Sequence, residues 1–589
     1  MSHIHTFSFG NRHAGRHASP ERHTRGGAPP ACACRANGLR ELCKRAVAVA
    51  QFVPSRGATR GTFADAMTGP APALTFPRVY NATEHFVDRH LAEGRGEKTA
   101  IVDPEGAVTY AELTERVNRA GNALHGLGVR MEERVLVCLL DGRDFPAVFF
   151  GAMKIGAVPV PVNTLLQPDD YAYLLDDSRA RVLVLSAALY PKFEPILGGA
   201  RFLEHVVLVD AQNEGPGRHL HLDALLRAAA PTLAAAPTTP DDVAFWLYSS
   251  GSTGRPKGAV HLHSHLQQTA VLYGERVLGI EPSDVVFSAA KSFFAYGLGN
   301  GITFPFHVGA TAIYQPDRAT PDTMMRVLRE KRPTIFYGVP TLYASILANA
   351  ENNRTAGSDR LRLCVSAGEA LPKEIGAKWH ERFGVHILDG IGSTEMLHIF
   401  ISNRPGDVRY GTSGRPVAGY DLKLVDDAGE PVPDGEDGAL WVRGPSSCVS
   451  YWNQRQKSLD TFHGAWTRTG DRYVRDAEGY FTYAGRSDDM LKVSGIWVSP
   501  FEVESALAAH EAVLEAAVVG QADEAELIKP KAFVVLKRPA EASPELAAAL
   551  KDFVKGRLAP YKYPRWIEFV SELPKTATGK IQRYKLREV

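Results

Sequence analysis

The stretch YSSGSTGRPKG at 248–258 concentrates groups that bind an anion. Glycines at 251, 254 and 258 let backbone N–H groups approach closely, Ser249, Ser250, Ser252 and Thr253 add hydroxyl donors, and Lys257 adds charge. That set suits phosphate oxygens. It is not the loop of the common nucleoside triphosphatases, which needs G-x-x-x-x-G-K-[ST], because here the lysine lies between Pro256 and Gly258. Three further stretches carry comparable chemistry: LDGIGSTEM at 388–396, WTRTGDRYVRDAEGYFTYAGRSDDMLKVSG at 466–495 and LPKTATGKIQRYKL at 573–586. Taken singly, a Thr-Glu pair or a lysine beside a glycine is ordinary surface chemistry. Their order and spacing together are specific.

The elements that must position these groups alternate. YAELTERVNRAGNALHGLG, from Tyr110, has helical apolar spacing ending in glycine, and VLVCLL then reads as a buried strand. FPAVFFGAMKIGAVPVPVN repeats helix then strand, which implies α/β layers with largely parallel sheets. FWLYSS at 245–250 is a further apolar strand that delivers the glycine-rich loop at its end, where α/β proteins place ligands. Ser264 and Gln267 fit a capping box for a following helix. After about residue 411 the pattern turns to short alternating segments, with DDAG in YDLKLVDDAGEPV as a hairpin turn, so 411–487 reads as a small β module. From 488 a helix, two strands, a helix and a strand predict a compact α+β C-terminal domain.

Length and charge bound the function. A chain of 589 residues calls for two or more domains. Lys+Arg 67 against Asp+Glu 66 gives a net charge of +1, so no long-range field draws in nucleic acid or an anionic membrane. Small solutes are the expected partners. The six cysteines form neither a disulfide framework nor a repeated C-x-x-C pattern, which fits a reducing, cytoplasmic setting. Residues 1–66 are rich in Arg, His, Gly and Ala and poor in acids, and read as a disordered extension, or as a misplaced start with Met67 as the first residue.

The four stretches together closely resemble the adenylate-forming superfamily of acyl-CoA synthetases, luciferases and peptide-synthetase adenylation domains, from about residue 75 to the C-terminus. Within it, KSFFAYGLGNG at 291–301, STEMLHIFISN at 393–403 and SGIWVSPFEVE at 494–504 look most like the aryl-CoA ligases that act on benzoate. The resemblance implies an α/β fold: a large multi-layer N-terminal domain, 67–487, with parallel-type sheets and the β module, then a mobile C-terminal domain, 488–589. It also implies two steps, in which an aryl carboxylate and MgATP give an acyl-adenylate and pyrophosphate, and coenzyme A then displaces AMP.

By resemblance, Ser249, Ser250, Gly251, Ser252, Thr253, Gly254 and Lys257 cradle the β- and γ-phosphates. Thr394 contacts the α-phosphate, and Glu395 holds Mg²⁺, a hard cation that prefers oxygen ligands. Asp471 accepts from the ribose hydroxyls with Arg486 assisting, while Gly368, Glu369, Asp389 and Gly390 lie on the adenine side. Lys580 is catalytic, reaching the carboxylate and α-phosphate from the C-terminal domain. Rotation about Asp488 withdraws Lys580 and brings in the loop Lys492–Gly495, where Gly495 leaves room for the pantetheine arm.

Around the acyl group the resemblance puts Ala295, Tyr296, Gly392, His398 and Ile399, with Phe294 as a gate beside the carboxylate. Small Ala and Gly with Tyr and Ile walls suit one flat aromatic ring. Amino-acid-activating relatives carry an aspartate in the segment matching FFAYG, and none stands here. His398 either bonds a ring substituent or serves as an aromatic wall, so hydroxy- and aminobenzoate remain alternatives, as does transfer of an aryl acid to a separate carrier protein. The HLHSH run at 261–265 reads as structural rather than metal-ligating. A monomer or homodimer is expected, with no nucleic-acid or membrane partner.

Overall fold

The computed structural model describes residues 71, 73–210, 219–249, 255–487, 489–493, 496–524, 527–575 and 581–587, all within one compact unit, Thr62–Val589. The N-terminal extension and its Met67 lie outside the described residues, as do Ser250, Gly251, Ser252, Thr253, Gly254, Asp488, Gly495 and Lys580.

Two large sheets fill the N-terminal part. In the first, nine strands run in the order Arg415–Pro416, Ile399–Ser402, Ile387–Gly392, Leu363–Ser366, Ile335–Gly338, Val285–Ser288, Thr311–Ile313, Thr99–Asp103 and Gly106–Thr109. The six from Ile387–Gly392 through Thr99–Asp103 are mutually parallel, and both flanks are antiparallel. IFYG at 335–338 and LCVS at 363–366 are buried at every position, as strands covered on both faces must be. The second sheet orders Val158–Pro161, Arg134–Cys138, Val182–Ser186, His205–Val209 and Leu220–His221, all parallel.

The sequence patterns explain the helices between them. Tyr110–Gly126 begins at Thr109, whose Oγ1 accepts the Glu112 N–H at 3.2 Å while the Glu112 carboxylate accepts the Thr109 N–H at 2.7 Å. It buries Leu113, Val117, Ala120 and Leu124, each worth about 1–3 kcal/mol of apolar burial for the larger side chains. This face meets the helix Asp144–Lys154 so closely that a Cβ on Gly151 would lie 2.9 Å from the Val117 carbonyl oxygen.

The β module is a five-stranded antiparallel sheet built on Asp421–Val425, Asp437–Arg443, Phe462–His463, Trp466–Arg475 and Phe481–Arg486. The DDAG turn is present: Gly429 has φ +88° and its N–H donates to the Asp426 carbonyl at 3.1 Å. The C-terminal part pairs Val513–Ala522 antiparallel with Ile528–Leu536, which pairs parallel with Trp566–Phe569. Helices Pro500–Ala508 and Pro544–Lys555 bury Val503, Leu507, Leu550 and Val554 in one core with these strands.

Two expectations are corrected. The strand Val243–Ser249 does not enter a parallel sheet but pairs antiparallel with Lys257–Leu262, Ser249 opposite Lys257. Ser264 is not a helix cap: the helix is His263–Thr269 with Leu262 at the N-cap, which puts Ser264 inside its first turn.

Candidate active site

The carboxyl ends of the parallel strands Val285–Ser288, Ile335–Gly338, Leu363–Ser366 and Ile387–Gly392 share one edge of the large sheet. The segments leaving that edge carry 294–296, 368–369 and 393–398, so strand direction alone gathers these three groups of candidate residues.

The hairpin supplies the charged corner. Ser249 Oγ donates to Glu395 Oε1 at 3.3 Å, and Lys257 Nζ lies 3.2 Å from the hydroxyl of Tyr451, which donates to the same Glu395 oxygen at 2.8 Å. Tyr451 reaches this point because its segment runs beside the second hairpin strand: Val260 N–H donates to Ser450 O at 3.0 Å, Trp452 N–H to Gly258 O at 2.8 Å, and Ala259 bridges Tyr451. The Cys448 N–H holds the Glu395 carbonyl at 2.7 Å. Burial lowers the Lys257 ammonium from its ordinary value, and the Glu395 charge opposes that shift.

Thr394 is held from the hairpin as well. His261 is fully buried, and its Nε2–H donates to the Thr394 carbonyl at 2.8 Å while Nδ1 faces His265 Nδ1 at 3.2 Å. Burial pulls the His261 ring down to about 4, so it stands neutral at pH 7. His263 instead accepts the Ala82 N–H at 3.1 Å. His261, His263 and His265 are all buried, and each makes a hydrogen-bonding contact within the protein.

Asp471 and Arg486 are direct cross-strand partners, with Arg486 Nη1 3.3 Å from Asp471 Oδ1. Gly470 has φ +78°, and a Cβ there would lie 2.8 Å from Arg486 Nη2. The glycine both takes the left-handed turn and makes room for the guanidinium. Gly368 has φ +97°, and the Glu369 carboxylate accepts the N–H of Ile581 at 3.2 Å, which brings the neighbour of Lys580 to this segment. Asp389 is buried; its carbonyl takes the Asn403 N–H at 2.9 Å, and burial pushes its carboxyl well above the usual carboxylate range. A Cβ on Gly390 would meet Ile401 O at 2.8 Å.

The acyl side is aromatic and closed. Ala295 and Ile399 are buried, Phe294 and Tyr296 half-buried, and the Tyr296 hydroxyl donates toward Val365 O at 3.2 Å and Gly338 O at 3.3 Å. His398 Nε2–H donates to Tyr296 O at 3.3 Å, with its ring 5.6 Å from Tyr296, 5.4 Å from Tyr273 and 4.5 Å from Phe304. Among the described residues its Nδ1 finds no hydrogen-bond partner, and burial lowers the ring to about 3. Gly392 must lack a side chain, since a Cβ would stand 2.6 Å from His398 O.

Three contributors escape a reading of the sequence. Tyr451 and His261 meet their partners only through tertiary contact, and Gly299 makes room for His398, whose Cδ2 would lie 2.3 Å from an added Cβ. A GLGNG run beside the acyl segment is the one sequence signal for Gly299.

The AMP-binding enzyme family matches residues 88–452, and the C-terminal domain of AMP-binding enzymes matches 502–580. A benzoate-CoA ligase of Thauera aromatica is 59% identical over 518 residues, covering 88% of this chain and 97% of that protein. A benzoate CoA ligase from Burkholderia xenovorans superposes with TM-score 0.81 at 53% identity, over 86% of this chain and 100% of that one. An anthranilate CoA ligase in complex with anthranoyl-AMP gives TM-score 0.84 at 48% identity, over 87% and 98%. The large parallel-sheet N-terminal domain and smaller C-terminal domain are the architecture of these ATP- and CoA-using ligases, and the chain belongs to the AMP-binding family of adenylate-forming enzymes, in its benzoate-CoA ligase group.

Proposed function

We propose that the protein converts benzoate, ATP and coenzyme A to benzoyl-CoA, AMP and pyrophosphate. The carrying observation is the stretch 392–399, which has Thr394 and Glu395 in the charged corner at one end and His398 and Ile399 in the aromatic slot at the other. A ring held against His398 and Tyr296 thereby presents its carboxylate to the phosphate-binding side.

A carboxylate oxygen attacks the α-phosphorus, the α–β phosphoanhydride bond breaks, and pyrophosphate leaves. Two anions must meet, so the residues supply positive charge and oriented donors: Lys257, with Ser249, Ser250, Gly251, Ser252, Thr253 and Gly254, toward the β- and γ-phosphates, and Lys580 toward the reacting oxygens. Asp471 and Arg486 hold the ribose, and Gly368, Glu369, Asp389 and Gly390 border the adenine. Mg²⁺ suits Glu395, whose donors are hard oxygens beside two hydroxyls, and when bound it screens phosphate charge. The CoA sulfur then attacks the acyl carbon, the bond to AMP oxygen breaks, and the thiol proton passes to solvent. Rotation of 488–589 against 67–487 about Asp488 exchanges Lys580 for the Gly495 loop between the steps. The Ile581 contact to Glu369 supports the reading that the C-terminal segment reaches the residues bordering the adenine.

The Nδ1 acceptor on His398 favours a second reading, in which a hydroxyl or amino group on the ring donates to it. Cys138, Cys364 and Cys448 are buried free thiols, which supports a reducing, cytoplasmic setting. The test is AMP and thioester formation with MgATP and a panel of benzoate, substituted benzoates and aliphatic acids, with and without CoA. Benzoyl-CoA as best product is expected. Acid-dependent pyrophosphate exchange without thioester would instead identify a carrier-protein loader.

A further inference from the structure

The glycine-rich hairpin leaves Lys257 facing Glu395 across a single intervening group, the Tyr451 hydroxyl. Its one proton goes to Glu395 Oε1 at 2.8 Å, and its oxygen takes an N–H of the Lys257 ammonium at 3.2 Å. The ammonium also lies 4.3 Å from the centre of the phenol ring, in a cation–π arrangement. Each charge therefore meets the phenol rather than the other. Ser249 and Tyr451 both bond Oε1, so neither engages Oε2.

We propose that Tyr451 is a positioning residue that holds Lys257 and Glu395 apart, so that both charges stay available to MgATP. The proposal rests on the reading of Lys257 as a phosphate group and Glu395 as a cation group. Without the hydroxyl, a flexible ammonium and a carboxylate in a partly buried corner attract strongly enough to close on one another. A closed pair offers neither charge to the ligand, and MgATP must break it before binding. The aromatic body stays in place when the hydroxyl is removed, because it is fixed by other contacts. Tyr451 is 4% exposed, its N–H donates to Ser458 Oγ at 3.0 Å, its backbone bridges Ala259, and its ring packs 5.2 Å from Phe462. Tyr451→Phe consequently removes the spacer and keeps the scaffold.

The experiment is calorimetric titration of MgATP, without any acid, into the full chain, Tyr451→Phe, Glu395→Gln and the double variant, with melting temperatures as a check on folding. Tyr451→Phe is expected to weaken MgATP about tenfold, the scale of losing a hydrogen bond to a charged group. In the Glu395→Gln background the same change is expected to cost less than about twofold, because no carboxylate remains for Lys257 to close upon. Equal weakening in both backgrounds would assign Tyr451 a purely structural role and overturn the proposal, as would no weakening in either. An unaltered chain that binds MgATP but ignores benzoate removes only the acid assignment; one that binds no MgATP defeats the proposed function and this inference together.

Discussion

The charged corner and the aromatic slot sit at opposite ends of 392–399 and are built by opposite means. In the corner, Ser249, Lys257, Glu395 and Tyr451 are partly exposed or linked by hydrogen bonds that a ligand can exchange. In the slot, His398, Ile399, Ala295 and Gly392 are set by close contact, with glycines at 299 and 392 where a methyl group would strike His398. Electrostatic sites tolerate small displacements but not lost charges, whereas packed sites tolerate polarity changes poorly and volume changes hardly at all. Activation chemistry should therefore fail by charge removal, and acid selection by a change of shape.

The sharpest test is Lys580→Ala. Its loss should cut adenylation, read as pyrophosphate exchange, by a factor on the order of 10²–10³ while conversion of supplied benzoyl-adenylate to thioester persists. A bulky residue at Gly495 should do the reverse, and equal loss of both half-reactions in each variant would break the division of labour between the two inward faces.

On the slot side, Gly299→Ala places a methyl 2.3 Å from the His398 ring and should cost about 1–3 kcal/mol of stability. Raised KM for benzoate with unchanged MgATP affinity is the expected kinetic result. A matching fall in MgATP affinity would show that the two regions are one mechanical unit.

Acid should attack the hairpin behind the corner. His261 and His263 are both lowered by burial to about 4, below the 6.5 of a free ring, so the unfolded chain binds more protons in that window. Stability should rise with pH from about 4 to about 6.5, each ring contributing a slope of up to about 1.4 kcal/mol per pH unit, and be lost as pH falls through it. Chemical denaturation across pH 4–7 measures this, and His261→Asn should flatten part of the slope. The smallest effect is expected from Ile399→Val, about 1 kcal/mol by melting, with a modest gain for bulkier aryl acids.

Much of this was legible early. The helix Tyr110–Gly126, the strand read in VLVCLL and the DDAG turn at Gly429 followed from apolar spacing and turn residues. The strand Val158–Pro161 announced itself in the run GAVPVPVN. The hairpin around the glycine-rich stretch was not legible, because an apolar strand has no mark that distinguishes a parallel partner from an antiparallel one. Ser264 failed as a cap for a related reason: the chain enters the helix at His263, at a point set by the preceding strand.

The sequence by itself determined the chemistry available: the hydroxyl- and glycine-rich stretch with Lys257, the Thr394-Glu395 pair, and the motifs whose order carries the family resemblance, since these are local residue types that survive any arrangement of the chain. Tertiary structure alone decided that Tyr451 stands between Lys257, 194 residues away, and Glu395, 56 residues away, and that His261 grips Thr394. Such contacts leave no periodic trace, because a hydrogen bond depends on where sheet order and strand direction bring two groups rather than on the number of residues between them.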